Sequence, residues 1–292
     1  MTPDEQLRAD ICEVGRRLWW RGFVASNDGN ISVRTGPDRL VMTPTSVSKG
    51  FMTPDMMVVT DLDGTLVSGA PGRKPSSEIL MHLVAYQERP DVGSVVHAHP
   101  PLSTGFAVAG IPLDRAVLAE VVTTLGSIPI ADYGTPSTTE LADTVRPYVK
   151  SHDGLLLANH GALALGKDLF SAYYKMETIE HFARISLVAR QLGRENLLSR
   201  EEVGRLQDLR GRYGIAAPAP ICPDPAPGSD AAGADATCQV LFAPSAPGER
   251  LVPDTSVAQG PGVSVGTGGE IRLTYAQLTA LIDDAVKQLL KA

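Results

Sequence analysis

Nine prolines fall between Gly214 and Gly262, at positions 218, 220, 223, 225, 227, 244, 247, 253 and 261. Proline fixes φ and lacks a backbone N–H, so helix interiors and central strands exclude it. The run from Ala216 to Ala236 is almost entirely Ala, Pro, Gly, Asp and Ser. Such a stretch buries too little apolar surface to offset its ordering entropy. A sizeable core must therefore come from residues 1–213. The sequence predicts three parts: a folded body at 1–213, a Pro/Gly/Ala-rich flexible linker at 214–272, and a helix at 273–292.

The terminal helix is written in its spacing. Thr274 and Gln277 form a capping-box pair. Leu278, Leu281, Ile282, Ala285, Val286, Leu289 and Leu290 then recur at three and four residues, with Asp283, Asp284, Lys287 and Gln288 on the other face. Its polar face mixes both charge signs, which disfavours a membrane-surface helix. The formal net charge of −7 argues against a nucleic-acid surface. No apolar run reaches the roughly 18–20 residues that would span a bilayer. Met1–Glu5 has neither the basic start nor the apolar stretch of a signal peptide. Cys12, Cys222 and Cys238 are odd in number and outside any CxxC pattern, so neither a disulfide framework nor a cysteine zinc site is expected. These features predict a soluble, cytoplasmic protein.

Within the body, helical and strand patterns alternate. Thr2, Pro3 and Glu5 announce a first helix, with Leu7, Ile11, Val14 and Leu18 at helical spacing. Asn30–Arg34 and Arg39–Met42 read as strands, as do Met57–Thr60 and Thr65–Val67, each pair joined by a turn. Ser77–Gln87 reads as a helix, Gly93–His97 and Gly154–Ala158 as buried strands, and Leu169–Leu192 as a long helix. A GxGxxG loop and strict strand–helix alternation are both missing. The expected fold class is α/β with a mixed or mainly antiparallel sheet.

His97 and His99 end one apolar strand. Residues two apart on a strand share a face, so both imidazoles are offered to one point. His160 follows the second apolar strand, in Asn159-His160-Gly161. Three neutral nitrogen ligands with an open position match a catalytic zinc site; strand-end core histidines without a metal are the plain alternative. His82, His152 and His181 read as structural or solvated. Glu78 sits where a helix begins, after Ser76 and Ser77. There an acid can simply favour the helix dipole, or the free N–H groups and hydroxyls can hold an anion.

Four motifs occur in order: Ser26-Asn27-Asp28-Gly29-Asn30-Ile31-Ser32-Val33-Arg34; Thr43-Pro44-Thr45-Ser46; Pro75-Ser76-Ser77-Glu78; and Val96-His97-Ala98-His99-Pro100 with Asn159-His160-Gly161-Ala162. Together, over about residues 5–210, they resemble the class II aldolase/adducin family, most closely its L-fuculose-1-phosphate aldolase-like members. The resemblance implies a three-layer α/β/α domain with a mainly antiparallel sheet, assembled as a homotetramer. It implies one divalent ion per subunit, Zn2+ first and Mn2+ or Co2+ next, on His97, His99 and His160. Glu78 would be a fourth ligand in the empty site and the acid/base once substrate displaces it. The implied phosphate pocket is Asn27, Gly29, Asn30, Thr45, Ser46, Ser76 and Ser77. Ser46 departs from the glycine usual in fuculose aldolases.

The implied reaction is cleavage of a ketose 1-phosphate, L-fuculose 1-phosphate-like, to dihydroxyacetone phosphate and an aldehyde such as lactaldehyde. In fuculose aldolases a tyrosine of the neighbouring subunit serves the aldehyde oxygen, but this chain reads Ala116-Val117-Leu118-Ala119-Glu120 there. Glu120 and Tyr133 are the candidate substitutes. A pentulose-phosphate 4-epimerase, a 5-deoxyribulose-phosphate aldolase or a sugar-acid phosphate decarboxylase would need nearly the same site. A non-catalytic adducin-like binding module would not need the ion. The appended linker and helix resemble a bacterial microcompartment encapsulation peptide. That implies a shell or cargo partner for residues 273–292 and a place inside such a compartment.

Overall fold

The computed structural model describes residues 2–213, Ile215 and two short strands at Ser264–Val265 and Ile271–Arg272. Those two strands pair antiparallel and belong to a second unit of the chain, Glu249–Ala292. They fall inside the stretch expected to be linker; apart from Ile215, the remainder of 214–272 and the helix expected at 273–292 lie outside the described residues.

The body runs α1 (Pro3–Trp20), β1 (Asn30–Gly36), β2 (Arg39–Met42), β3 (Val58–Thr60), β4 (Leu66–Ser68), α2 (Ile79–Glu88), β5 (Ser94–Ala98), α3 (Pro101–Val108), α4 (Ala119–Thr124), β6 (Ile130–Ala131), α5 (Thr139–Val149), β7 (Gly154–Leu157), β8 (Gly161–Gly166), α6 (Leu169–Gln191) and α7 (Arg200–Arg212). The eight strands form one sheet in the order β4-β3-β2-β1-β5-β8-β7-β6. All neighbours are antiparallel except β6 and β7, and those two are joined through α5, the crossover that a parallel pair needs.

Alternation along each strand builds two cores. Val96 and Ala98 of β5, with Ala162 and Ala164 of β8, face one side, where α1, α3 and α6 supply Ile11, Phe106 and Met176. Val95, Leu163 and Leu165 face the other, against Met81 and Tyr86 of α2 and Leu141 and Val145 of α5. Helices on both faces make the three-layer α/β/α arrangement. Each fully buried Leu or Val in these layers is worth roughly 1.5–3 kcal/mol of transfer free energy.

Local chemistry sets the element ends. Thr2 and Glu5 form the expected capping box on α1, and Ser199 with Glu202 forms another on α7. Pro100 and Pro101 stop β5 and start α3, whose Leu102 and Ser103 N–H groups donate to the Glu180 carboxylate of α6 at 3.0 and 2.8 Å. The helix expected from Ser77 begins at Ile79, so Glu78 occupies its N-cap position.

Candidate active site

The site forms where β5, the β7–β8 hairpin and the start of α2 meet. His97 lies in β5 and is fully buried. His99 is one residue beyond the strand, yet its N–H still donates to the Phe23 carbonyl at 2.9 Å, so the chain stays extended and both rings keep one face. His160 stands in the three-residue turn between β7 and β8. Asn159 there has φ +56°, a left-handed conformation that asparagine tolerates, and Leu157 pairs with Gly161. The three ring centroids are 4.7, 4.9 and 5.0 Å apart, and one ligand nitrogen from each lies within 4.8 Å of the others.

The second nitrogens explain the ring orientations. His97 Nδ1 donates to the Ala162 carbonyl at 2.9 Å, leaving the Nε2 lone pair inward. His99 Nδ1 lies 3.5 Å from Asp28 Oδ2, which turns its Nε2 inward as well. The two Nε2 atoms face each other at 3.0 Å. Two lone pairs at that separation repel unless a cation lies between them, and the donor set suits a divalent ion of the zinc kind. Burial pushes His97 down to about 3 and lowers His99 too, so both are neutral and ligand-ready.

Glu78 completes the cluster. Its Oε1 lies 3.1 Å from His160 Nε2 and its Oε2 3.4 Å from His97 Nε2. It makes no cap hydrogen bond to its own helix, so its position reflects the cluster and not the helix dipole. Burial alone would raise its pKa; the His97 and His160 rings and the Asn30 amide, which donates to Oε2 at 2.8 Å, together hold it below the ordinary carboxylate range.

Gly161 and Gly29 make room for this packing. A Cβ at Gly161 would meet the Ala98 carbonyl at 2.6 Å and His99 Cδ2 at 2.7 Å. At Gly29, φ is +73°, and a Cβ would lie 2.9 Å from the His97 carbonyl.

The stretches expected to hold phosphate are tied to one another. Lys49, almost fully buried, donates through Nζ to the Asn27 carbonyl at 3.0 Å and the Val47 carbonyl at 2.7 Å, joining the first two loops. Burial lowers it to about 8 against the pull of Asp28 and Glu78. The Thr45 N–H donates to the Lys74 carbonyl at 3.0 Å, joining the second loop to the third. Asn27, Ser46 and Ser77 are exposed, Thr45 is half-buried, and Gly29, Asn30 and Ser76 are buried. The Ser76 hydroxyl is occupied by the Glu78 N–H at 3.3 Å, and the Asn30 side chain by Glu78 and His82. Ser46 has φ +58°, a conformation glycine adopts freely and other L-residues at a cost of roughly 1–2 kcal/mol. The departure from glycine there is thus a backbone strain, not a lost contact.

Glu120 and Tyr133 are exposed, on α4 and on the loop after β6, and neither bonds to Glu78 or to the three histidines. Two residues that the sequence reading left out belong to the site's surroundings. Lys49 gave no signal, being one lysine in a loop. His82 did: Glu78, His82 and Tyr86 recur every four residues along α2, and Asn30 and Ser32 lie two apart on β1.

A family model described as the class II aldolase and adducin N-terminal domain matches residues 9–187. The chain belongs to the class II aldolase/adducin family, as one of its aldolase-type lyases. It is 33% identical to an L-fuculose phosphate aldolase of Methanococcus maripaludis over 63% of this chain and 97% of that one. It is 31% identical to a 5-deoxy-D-ribulose 1-phosphate aldolase of Bacillus thuringiensis serovar kurstaki, over 72% and 98% of the two. A 3-oxo-tetronate 4-phosphate decarboxylase of Pectobacterium atrosepticum is 27% identical, over 64% and 87%. Among solved structures, an L-fuculose 1-phosphate aldolase superposes with a TM-score of 0.66 at 29% identity, covering 72% of this chain and 97% of its own.

Proposed function

We propose that this protein cleaves a ketose 1-phosphate, of the L-fuculose 1-phosphate kind, into dihydroxyacetone phosphate and an aldehyde such as lactaldehyde. The observation that carries this reading is the convergence of His97, His99 and His160 with the Glu78 carboxylate against two of their ring nitrogens. The three imidazoles would hold a divalent ion, zinc before manganese or cobalt, with Glu78 as fourth ligand in the free enzyme. Such an ion supplies Lewis-acid polarisation of the substrate carbonyl and its neighbouring hydroxyl.

The chain's own groups do the rest. The tied loops carrying Asn27, Gly29, Asn30, Thr45, Ser46, Ser76 and Ser77 hold the phosphate and so fix the substrate's non-reacting end. When the carbon–carbon bond breaks, its electron pair stays on the carbon beside the carbonyl, and Glu78, having first taken up a proton from solvent, delivers it there; in the synthetic direction the ionised Glu78 removes that proton. The lowered pKa of Glu78 keeps it ionised in the free enzyme, the form that removes the proton in the synthetic direction. The hydroxyl that becomes the aldehyde gives up its proton to a separate group. We assign that role to Tyr133, on an exposed loop, or Glu120, reaching a neighbouring subunit's site in the homotetramer proposed here.

The decarboxylase and the 5-deoxyribulose-phosphate aldolase leave the same charge on the same carbon, so the reading separates from them on the acceptor side. A pentulose-phosphate 4-epimerase would recombine the fragments. An adducin-like binding module has no use for the ion ligands. Assaying dihydroxyacetone phosphate release across ketose 1-phosphates, with and without chelator, tests the reading: release from a deoxyketose 1-phosphate that stops on chelation supports it, and chelator-resistant turnover contradicts it.

We also propose that residues 273–292 tether the enzyme to a bacterial microcompartment, since the stripe of Leu278, Leu281, Ile282, Val286, Leu289 and Leu290 needs an apolar partner. Deleting 273–292 should leave turnover unchanged and abolish co-purification with shells in a host that makes them. Equal co-purification of the deleted and full chains would contradict the tag.

A further inference from the structure

We propose that His82 is a positioning residue: through Asn30 it fixes the orientation in which the Glu78 carboxylate meets the histidine trio. This rests on the reading of Glu78 as the acid/base. His82 is fully buried on α2, one turn beyond Glu78, and does not touch it. Its Nε2 bonds to Asn30 Oδ1, and its Nδ1 lies 2.6 Å from Ser32 Oγ. Ser32 Oγ in turn lies 2.8 Å from the Tyr86 hydroxyl. All of these groups are buried between α2 and the start of β1.

Every proton in this chain of bonds has one allowed place. The Asn30 NH2 group donates to Glu78 Oε2 at 2.8 Å. Asn30 Oδ1 then faces His82 and must accept, so His82 carries its proton on Nε2. That leaves a lone pair on Nδ1, to which the Ser32 hydroxyl donates; Ser32 Oγ accepts from Tyr86. Burial keeps His82 neutral, at about 4, which is the state the chain of bonds requires. Reversing the Asn30 amide would set two acceptors against each other at the Glu78 end and two donors against each other at the His82 end. His82 thus selects the amide orientation, and that orientation commits Glu78 Oε2 to a fixed N–H while Oε1 stays toward His160. A ring that only filled space would leave the amide free to turn and the carboxylate free to swing.

The test uses the full chain and a half-reaction that needs no aldehyde: exchange, in D2O, of the proton on the carbon beside the carbonyl of dihydroxyacetone phosphate. Zinc affinity is measured alongside by competition with a fluorescent chelator. His82→Leu should lower the exchange kcat by about 10–100-fold, leave KM within about threefold and weaken zinc about tenfold, as for an outer ligand partner. His82→Gln, which offers an amide N–H where Nε2 stood, should recover most of kcat. A His82→Leu protein with wild-type rate, or a folded His82→Gln that is no better than His82→Leu, would overturn the proposal. Should His82→Leu fail to fold, Ser32→Ala decides in its place: it frees the tautomer and should lower the exchange kcat with KM unchanged, and a wild-type kcat overturns the proposal. Glu78→Gln is measured in parallel. Wild-type exchange in Glu78→Gln would sink the acid/base reading itself, whereas an inactive Glu78→Gln beside indifferent His82 variants would sink the positioning role alone.

Discussion

Gly161 shows how little space the histidine trio leaves. A single methyl there would press on the His99 ring and lie 3.3 Å from His97 Cε1. Because metal affinity depends on ring orientation, Gly161→Ala should weaken zinc about 10–100-fold, read by chelator competition, while the fold persists. Wild-type affinity would mean that the rings are not held as described. His82 has a separate effect on stability. Its folded-state value, about 4, lies below the 6.5 of the free side chain, so the unfolded chain takes up the proton first. The stability that neutral His82 contributes is complete above pH 6.5 and is lost as the pH falls toward 4. Urea unfolding of metal-stripped protein should show the advantage of wild type over His82→Gln shrinking by roughly 3 kcal/mol over that window. The residue scale was partly legible in the sequence. The three histidines and Glu78 stood at strand and helix ends whose patterns were strong. His82 read as structural or solvated because its partners, Asn30 and Ser32, are some 50 positions away; spacing within one element does not reveal what another element brings to it.

At the scale of elements, the loops matter more than the helices. Lys49 closes the first two of the three stretches proposed to hold phosphate onto one ammonium, and a buried ammonium is retained only where carbonyls satisfy it. Lys49→Met should therefore raise KM for a phosphorylated substrate about 10-fold or more while changing kcat less, since the lost group orients the remote end and not the reacting carbon. A variant with wild-type KM would show that the loops are set without it. The strands of the two hairpins, α1 and α6 could be read from caps and alternation to within a few residues. The start of α2 could not: a Ser-Ser-Glu run reads as helix in sequence, and only the contacts of Glu78 show why the chain delays helical geometry until Ile79. Helices α3, α4, α5 and α7 and strands β6 and β8 went unassigned. Several are short, and β8 is a Gly/Ala/Leu run whose pairing with β5 and β7 fixes its conformation.

At the scale of the whole molecule, the sheet order carries the chemistry. Placing β5 between β1 and β8 sets Asn30 opposite His97 and brings the His160 turn to the same end. Antiparallel pairing was expected from the hairpins, but this order was not, because β5 joins strands that are distant in sequence on both sides. The resemblance to the family implied the three layers and the mainly antiparallel sheet, not this strand order. Among the described residues no helix is long and apolar enough to cross a membrane. The central claim is that three histidines and one carboxylate act together on the carbon beside a carbonyl. Proton exchange at that carbon of dihydroxyacetone phosphate, followed by NMR in D2O, tests it most directly. The full-length protein should exchange the proton, lose that activity on chelation, regain it with zinc, and fail in Glu78→Gln. Exchange that persists without a divalent ion, or in Glu78→Gln, would contradict the claim.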